Sequence, residues 1–301
     1  MKVQRIRVLL LKSHPGSYHV MGVLGRYSQK VSVSINTTQI ITYDLLKKIG
    51  PDVLFLSDTA GTPVQLTVDE IDAIKRYVSN NVGKGIIATY AAFWYEESYK
   101  GDKVIFNNSA LLELFGLKQN AQFRPKASQV TLKSISIEGE WVIGGKNKLV
   151  GGYESVQVPT TSWENILGGA TVIAIDEKTG GCVTSYHEEF YTAMYINMMP
   201  EYSFGNTMGD PFLIVNMIEN VYKSARHSLQ SLCYLSLKSA HTVKHLLQQQ
   251  VVMKQLSPAA LKTFAEYATS RFKMSKKNKV FLRTLGITEL TKPQKKCIGS
   301  L

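Results

Sequence analysis

Three adjacent stretches of sequence decide the fold: GPDVLFLSD (residues 50–58), LTVDEIDAIKRYV (residues 66–78) and GKGIIATYAA (residues 83–92). The first and third are short apolar runs that end in loop residues, which is the pattern of buried strands. The middle stretch has apolar residues at helical spacing, and Thr67 followed by Glu70 forms a capping box that marks a helix start. A buried strand, an amphipathic helix and a second buried strand predict a parallel sheet with helices on both faces.

The flanking sequence extends this pattern in both directions. Upstream, strands are predicted at residues 6–12 and 29–34, and a helix at residues 42–49 ends at Gly50-Pro51. Downstream, the pattern changes to a short helix, a set of antiparallel strands and a closing helix. These elements are predicted at residues 108–115, 128–137, 140–143, 170–176, 181–188, 193–198 and 211–223. The sequence thus predicts one α/β domain at residues 1–223.

The charge of the chain is concentrated towards its C-terminal end. The 301 residues carry a net charge of +12, and residues 222–301 hold 15 basic and two acidic side chains. The remaining residues are close to neutral, with 20 basic and 21 acidic side chains. This boundary, together with apolar residues at helical spacing from residue 228 onward, predicts a separate basic helical module at residues 224–301.

Composition also bears on where the protein works. With 44% hydrophobic and 19% charged residues, the chain has an ordinary globular composition. No apolar stretch approaches the ~18 residues needed to span a bilayer. Cys182, Cys233 and Cys297 are spaced too widely for a disulfide framework or a metal knuckle. We therefore expect a protein without a membrane span that works in the cytoplasm or the nucleus with reduced thiols.

The order and spacing of these motifs resemble a known family. The three stretches at residues 50–58, 66–78 and 83–92 are similar to the ThuA-like branch of the class I glutamine amidotransferase-like superfamily. The segment YINMMPE (residues 195–201) resembles the strand and His-Pro-Glu ending of the amidotransferases. The resemblance covers residues 6–223 and implies a flavodoxin-like parallel-sheet sandwich. In such sheets, ligands bind beyond the carboxyl ends of the strands.

Two positions depart from the amidotransferase pattern. In the family, a cysteine on the turn after a strand attacks glutamine, a histidine activates the cysteine, and a glutamate orients the histidine. The alignment places Tyr90 at the cysteine position, or Thr89 if it is shifted by one residue. It places Met199 at the histidine position and keeps Glu201. Because a thioether is no base and a phenol ionises only near pH ~10, we do not expect glutaminase activity.

The ThuA-like branch implies sugar-related chemistry, with one histidine in the first loop and another at the strand turn. His19, in the predicted loop at residues 13–19, matches the first position, and Tyr90 replaces the second. For His19 the alternatives are ligand binding and capping of a nearby helix, and Trp94 is either a pocket residue or a core residue of the following helix. The predicted pocket comprises His14, His19, Tyr90, Trp94, Met199 and Glu201.

The other histidines give no clear site. His187 gains a carboxylate partner only if Glu188 or Glu189 turns toward it, and neighbours in a strand face opposite sides. Two histidine pairs lack a third ligand close in sequence, so we predict no metal site. These pairs are His14 with His19 and His241 with His245. No cofactor is predicted, and the sequence assigns no catalytic residue.

The C-terminal module carries a pattern for binding a protein partner. Residues 228–237 (SLQSLCYLSL) resemble the box by which substrate receptors of cullin ubiquitin ligases bind elongin C. Leu229, Cys233 and Leu237 recur at i, i+4 and i+8 and form one narrow apolar stripe on a helix. Residues 256–267 resemble the second half of a suppressor-of-cytokine-signalling box, which meets the cullin, with a serine inserted into its Leu-Pro pair. The alternative is that these stripes pack the helices onto the first domain or onto each other.

Two functions remain open on the sequence. In the first, the α/β domain is a non-catalytic binding domain and the protein is an adaptor, as a substrate receptor of an elongin–cullin ubiquitin ligase. In the second, the protein is a ThuA-like enzyme that acts on a sugar or related small molecule through His19, Glu201 and Tyr90. The basic residues between positions 271 and 296 indicate either an anionic partner or a solvated tail.

Overall fold

The computed structural model describes most of the α/β region and the beginning of the C-terminal region. The described residues are 5–13, 15–36, 39–57, 59, 66–99, 102–119, 124–126, 132–144, 155–157, 167–176, 182–188, 190–201 and 210–237. Internal contacts divide the chain into two units, residues 1–226 and residues 227–301. The predicted module at residues 224–301 lies outside the described residues from residue 238 onward.

The first unit contains a mixed sheet with helices, which confirms the predicted α/β class. The described strands are β1 (Ile6–Leu11), β2 (Val31–Asn36), β3 (Val53–Ser57), β4 (Lys84–Thr89), β5 (Trp94–Tyr99), β6 (Asp102–Asn107), β7 (Arg124–Lys126), β8 (Leu132–Ser134), β9 (Ser155–Gln157), β10 (Thr171–Asp176), β11 (Cys182–His187) and β12 (Tyr191–Ile196). The described helices are α1 (Pro15–Tyr27), α2 (Tyr43–Ile49), α3 (Val68–Asn80), a 3-10 helix (Ser109–Phe115), α4 (Ile137–Ile143) and α5 (Pro211–Leu237).

Eight strands form one sheet in the order β2-β1-β3-β4-β12-β11-β10-β8. The strands β2, β1, β3, β4 and β12 run parallel to one another, and we call them the parallel half. The strands β11, β10 and β8 continue the sheet with antiparallel pairing, and we call them the antiparallel half. The other described strands form two small sheets, β5 with β6 and β7 with β9.

Helices cover both faces of this sheet, as the sequence predicts. On one face lie α2, α3 and the 3-10 helix, and on the other lie α1, α4 and the first part of α5. Every residue of β3 is buried, because a central parallel strand has helices on both sides. Core residues on the first face include Leu46, Ile74 and Phe115, and those on the second face include Met21, Val142 and Met217.

The strand–helix–strand prediction at residues 50–92 is confirmed in its local detail. The Thr67 side chain accepts a hydrogen bond from the Glu70 amide, and the Glu70 carboxylate accepts one from the Thr67 amide, so the capping box is complete. Gly50 ends α2 in the left-handed conformation, at φ 62°. A glycine takes this conformation without the clash that a Cβ would cause.

The prediction of strands at residues 128–137 and 140–143 is wrong for most of the residues that the structure describes there. Only Leu132–Ser134 form a strand in that part of the chain, and Ile137–Ile143 form the helix α4. Ser136 caps this helix by accepting a hydrogen bond from the Gly139 amide at 3.0 Å. The short apolar run at the end of α4 satisfies a strand pattern equally well, because periodicity does not separate the two over so few residues.

Two further boundaries differ from the sequence prediction. The predicted loop at residues 13–19 is wrong, because α1 begins at Pro15 and includes His19. The helix predicted at residues 211–223 continues as α5 to Leu237. Within the described part of the chain, no helix is long and apolar enough to cross a membrane.

Candidate functional site

The carboxyl ends of the parallel strands carry a group of buried polar residues. Ser13 follows β1, Ser57 ends β3, Thr89 ends β4 and Glu201 follows β12. Parallel strands place their carboxyl ends at one edge of the sheet, so residues that are far apart in the chain meet there. Each of these four side chains is almost fully buried.

Glu201 is the centre of this group. The hydroxyls of Ser57 and Thr89 both donate to its Oε1. The Ser17 Oγ in α1 lies 2.5 Å from the Ser57 Oγ. Because Ser57 uses its proton on Glu201, Ser17 is the donor in that pair. The Ser13 Oγ donates to the Leu11 carbonyl at 2.8 Å and accepts from the Ser57 amide at 3.0 Å. We call Ser13, Ser17, Ser57 and Thr89 the hydroxyl cluster.

The electrostatics of Glu201 differ from those of a surface glutamate. Complete burial raises the pKa of its carboxyl to about 7, although the hydrogen bonds from Ser57 and Thr89 act in the opposite direction. Among the described residues, no lysine, arginine or histidine forms an ion pair with it. Its second oxygen, Oε2, is buried and has no hydrogen-bond partner among those residues.

The turn after β4 has an unusual backbone. Tyr90 adopts φ 49°, in the left-handed region that costs an L-residue ~1–2 kcal/mol. Two contacts with β12 hold it: its amide donates to the Ile196 carbonyl at 2.9 Å, and its carbonyl accepts from the Tyr195 hydroxyl at 2.8 Å. Its side chain is only 6% exposed and belongs to the core on the α3 face of the sheet. The turn therefore directs the tyrosine into the protein.

The structure brings together three of the six predicted pocket residues. Met199 is 3% exposed and belongs to the same core as Tyr90, and Glu201 bonds to the neighbouring Thr89. Trp94 is partly buried at the start of β5. His19 is exposed on α1, and His14 lies outside the described residues. The sequence predicted Glu201 in this site and offered Thr89 as an alternative at the cysteine position, but it did not predict the hydrogen bonds of Glu201 with Ser57 and Thr89, which are 144 and 112 residues away in the chain.

The predicted partner-binding residues lie in α5. Leu229, Cys233 and Leu237 belong to one continuous helix, although their side chains are outside what the structure describes. Residues 238–301 are also outside the described range, and with them the second half of the predicted box, the His241–His245 pair and the basic tail.

A second polar cluster lies in the antiparallel half of the sheet. The Ser185 Oγ donates to the Glu138 Oε1 at 2.8 Å, and the His187 Nε2 lies 3.3 Å from the Glu138 Oε2 and 3.0 Å from the Ser185 Oγ. The His187 Nδ1 lies 3.3 Å from the Thr192 Oγ1. Burial disfavours the charged form of Glu138, but the hydrogen bonds from His187 and Ser185 outweigh it, so the pKa of that carboxyl is lowered. We call Glu138, Ser185 and His187 the imidazole cluster.

The imidazole cluster does not have the geometry of a nucleophilic triad. In such a triad the hydroxyl and the carboxylate contact opposite nitrogens of the ring, whereas Ser185 and Glu138 share Nε2. Ser185 is also 1% exposed, so no substrate reaches its hydroxyl. The expected neighbour, Glu188, accepts from the Tyr186 hydroxyl instead. The carboxylate that faces His187 comes from α4, and the sequence prediction concealed it because it placed Glu138 between two strands.

Metal binding finds no structural support in the part of the chain that is described. No group of three or more histidine, cysteine, aspartate or glutamate side chains is arranged there to hold an ion. The imidazole cluster supplies one nitrogen and one carboxylate, which is fewer than the three protein ligands of a typical catalytic zinc site.

Comparison with known proteins gives little further information. No family model matches the chain, and no curated protein matches it in sequence. Among solved structures, it is similar to the exo-beta-1,4-mannosidase Op5Man5 from Opitutaceae bacterium strain TAV5, with 13% sequence identity and a TM-score of 0.38. The similarity covers 75% of this chain and 36% of that one, so the chain spans about a third of the mannosidase.

Proposed function

We propose that residues 1–223 form a flavodoxin-like domain of the class I glutamine amidotransferase-like kind, related to the ThuA-like branch, that no longer catalyses a reaction. If the five parallel strands are numbered 1 to 5 in chain order, they lie in the sheet in the order 2-1-3-4-5, which is the flavodoxin-like order. This order supports the family resemblance carried by the motifs at residues 50–92. The protein then acts as a binding domain joined to a helical segment that engages a protein partner.

The burial of the amidotransferase positions carries this proposal. Tyr90, Met199 and Glu201, which align with the nucleophile, base and orienting carboxylate, are 6%, 3% and 0% exposed. Amide hydrolysis requires a nucleophile that reaches the substrate and a base within hydrogen-bond distance of it. Here the nucleophile position is a core tyrosine, the base position is a thioether, and the carboxylate is occupied by the hydroxyl cluster.

The continuity of α5 supports the adaptor part of the proposal. Leu229, Cys233 and Leu237 fall within one helix that starts at Pro211, so their i, i+4, i+8 spacing places them on a single face. An apolar stripe with a small cysteine at its centre is suited to insertion into a groove of a partner. We propose elongin C as that partner, with a cullin contacted through residues 256–267.

No observation on the described residues favours the alternative of a sugar-directed ThuA-like enzyme. That function needs His19 and Tyr90 at an open polar cleft. His19 is exposed on α1, whereas Tyr90 is part of the core. The proposal therefore rests on the interpretation that the site is non-catalytic.

Direct binding to purified elongin C tests the adaptor proposal. The whole chain and a Leu229→Ala/Cys233→Ala variant are titrated with elongin C by calorimetry, and we expect the variant to bind at least ~10-fold more weakly, which corresponds to about 1.4 kcal/mol. The matched control is Leu235→Ala, which removes the same side chain from the same helix about half a turn away from the stripe.

The binding results decide between an adaptor that binds elongin C through the helix stripe and a protein that does not. Binding that Leu229→Ala/Cys233→Ala weakens and Leu235→Ala leaves unchanged supports the adaptor. Absence of binding by the unmodified chain, or equal binding by all three proteins, overturns it. A glutaminase assay on the unmodified chain tests the first half of the proposal separately, and measurable turnover of glutamine would contradict it.

A further inference from the structure

Glu201 is a buried acid for which the proposed function has no use. One of its oxygens accepts from two hydroxyls, and the other has no hydrogen-bond partner among the described residues. A carboxylate that is fully removed from water needs a cation or several donors to stay charged, and without them the neutral acid is the less costly form. The geometry alone therefore favours a protonated Glu201.

The elements packed around Glu201 offer no described counter-charge. Ser57 from β3 and Thr89 from β4 donate to it, Ser17 from α1 contacts Ser57, and all three are neutral. The charged groups at the neighbouring end of β1 are occupied with each other, because the buried Lys12 Nζ pairs with the Glu70 carboxylate. Among the described groups, the hydroxyls of Ser57 and Thr89 and the backbone amide of Glu201 are what stabilise a charge at this carboxyl.

Glu201 also lies where the chain leaves the sheet for α5. The preceding residue, Pro200, accepts a hydrogen bond from the Asp210 amide at 2.7 Å through its carbonyl. The Asp210 Oδ1 in turn accepts from the Leu213 amide at 2.9 Å and so caps the first turn of α5. A shift of Glu201 toward water would displace Pro200 and with it the partner of the Asp210 amide.

We infer that Glu201 is held as an uncharged acid in the folded protein and that its ionisation weakens the contact between Pro200 and Asp210 at the start of α5. The protein thus contains a pH-sensitive lock that is closed in acidic solution and weakens progressively as the pH rises to neutral. The lock lies at the beginning of the helix that carries the proposed partner-binding stripe, but it does not depend on that function.

The sign follows from linkage between protonation and folding. Burial raises the folded-state pKa of Glu201 to about 7, above its value in the unfolded chain. The stability that this proton contributes is fully present below the unfolded pKa and is lost as the pH rises through the folded pKa. Between these two pKa values the opening equilibrium gains about tenfold for each pH unit, and above the folded-state pKa it levels off.

Hydrogen exchange at the start of α5 tests the lock. Exchange of the Leu213 and Ile214 amides is measured between about pH 5 and pH 9 in the whole chain and in Glu201→Gln, and each rate is corrected for the intrinsic effect of pH. We expect protection in the unmodified chain to fall about tenfold per pH unit below the folded-state pKa of about 7 and to level off above it, and protection in Glu201→Gln to stay constant, because glutamine cannot ionise. Equal pH dependence in the two proteins would overturn the inference.

Two controls keep the result decisive. Glu219→Gln removes a glutamate of α5 that forms ion pairs with Lys30 and Lys223 at the surface, and it should retain the pH dependence of the unmodified chain. The carboxyl carbon of Glu201 is also followed by NMR in the unmodified chain, which decides the matter even if Glu201→Gln does not fold. Titration near neutral pH supports the lock, and titration near the usual glutamate value of ~4.3 rejects it.

Discussion

The parallel and the antiparallel half of the sheet each contain a glutamate that accepts hydrogen bonds from hydroxyl groups. In the parallel half, Ser57 and Thr89 donate to Glu201, and complete burial raises its pKa to about 7. In the antiparallel half, Glu138 is held by Ser185 and also by His187, and its pKa is lowered. Hydroxyl donors are common to both sites, so they do not decide the sign of the shift.

Burial and the imidazole account for the difference between the two sites. The Glu138 side chain keeps 25% of its surface exposed, whereas Glu201 has none. Water therefore still stabilises a charge at Glu138, and the His187 ring adds a donor to its carboxylate. Hydroxyl donors therefore accompany a charged acid at a partly wet site with an imidazole, and a neutral acid at a dry site without one.

The greatest loss of stability is expected from a substitution that displaces α4 and so disrupts the antiparallel site. A Cβ at Gly139 would lie 2.0 Å from the Ile173 carbonyl oxygen, so Gly139→Ala forces α4 away from β10 and separates Glu138 from His187. We expect the free energy of unfolding, measured in urea, to fall by about 3 kcal/mol. Gly22→Ala in α1 is the matched control, because no heavy atom lies within 4 Å of its Cβ, and it should add about 0.5–1 kcal/mol. If Gly139→Ala changed the free energy of unfolding as little as Gly22→Ala, α4 would not pack against β10 as described.

An intermediate effect is expected in the parallel half from Thr89→Val. This change removes one donor to Glu201 with little change in shape, and we expect a loss of about 2 kcal/mol at alkaline pH. Because the Thr89 hydroxyl stabilises the ionised acid, its removal should raise the pKa of Glu201 further and cost less at pH 5, where the acid is neutral. Urea unfolding at the two pH values measures the difference. The same loss at both would mean that the hydroxyl does not sense the charge of Glu201.

The least loss of stability is expected from removing the charge of Glu138. Glu138→Gln should cost about 1 kcal/mol near neutral pH, because the carboxylate loses its charge toward His187. Because the pKa of Glu138 is lowered in the folded protein, its carboxylate contributes stability above the unfolded-state pKa. This contribution is lost as the pH falls through the folded-state pKa. The unmodified chain and the variant should therefore converge in acid, and the unmodified chain should be the more stable near neutral pH, whereas at Glu201 the glutamine variant is expected to be the more stable there. Parallel stability curves from pH 3 to pH 7 would remove the contrast between the two sites.

The sequence predicted the parallel half well because its signals are local. The capping box of Thr67 and Glu70, the apolar runs of β3 and β4 and the stop at Gly50 each lie within a few residues. The antiparallel half was less predictable. The short apolar end of α4 fits a strand and a helix equally. The helix is favoured by the Ser136 cap at its start and by the close packing of Gly139 against β10.

The candidate site was predictable in its acid but not in its partners. Glu201 follows from the likeness of residues 195–201 to a family ending. Its donors Ser57 and Thr89 are ordinary hydroxyls in the sequence, and they acquire their role only because parallel strands bring their ends together. The direction of the Tyr90 side chain was equally hidden, since it depends on a positive φ that contacts with β12 maintain.

The central position of β12 has a consequence for how the chain folds during synthesis. This strand lies between β4 and β11 and is the last strand of the sheet to leave the ribosome. Until Tyr191–Ile196 emerge, β4 has no neighbour on one side, and β8, β10 and β11 have nothing to join them to the strands made first. Contacts between such distant parts of a chain form slowly, and an apolar strand left unpaired in the meantime is a site for aggregation. A nascent chain stalled before residue 191 should therefore depend on chaperones far more than one stalled after residue 226.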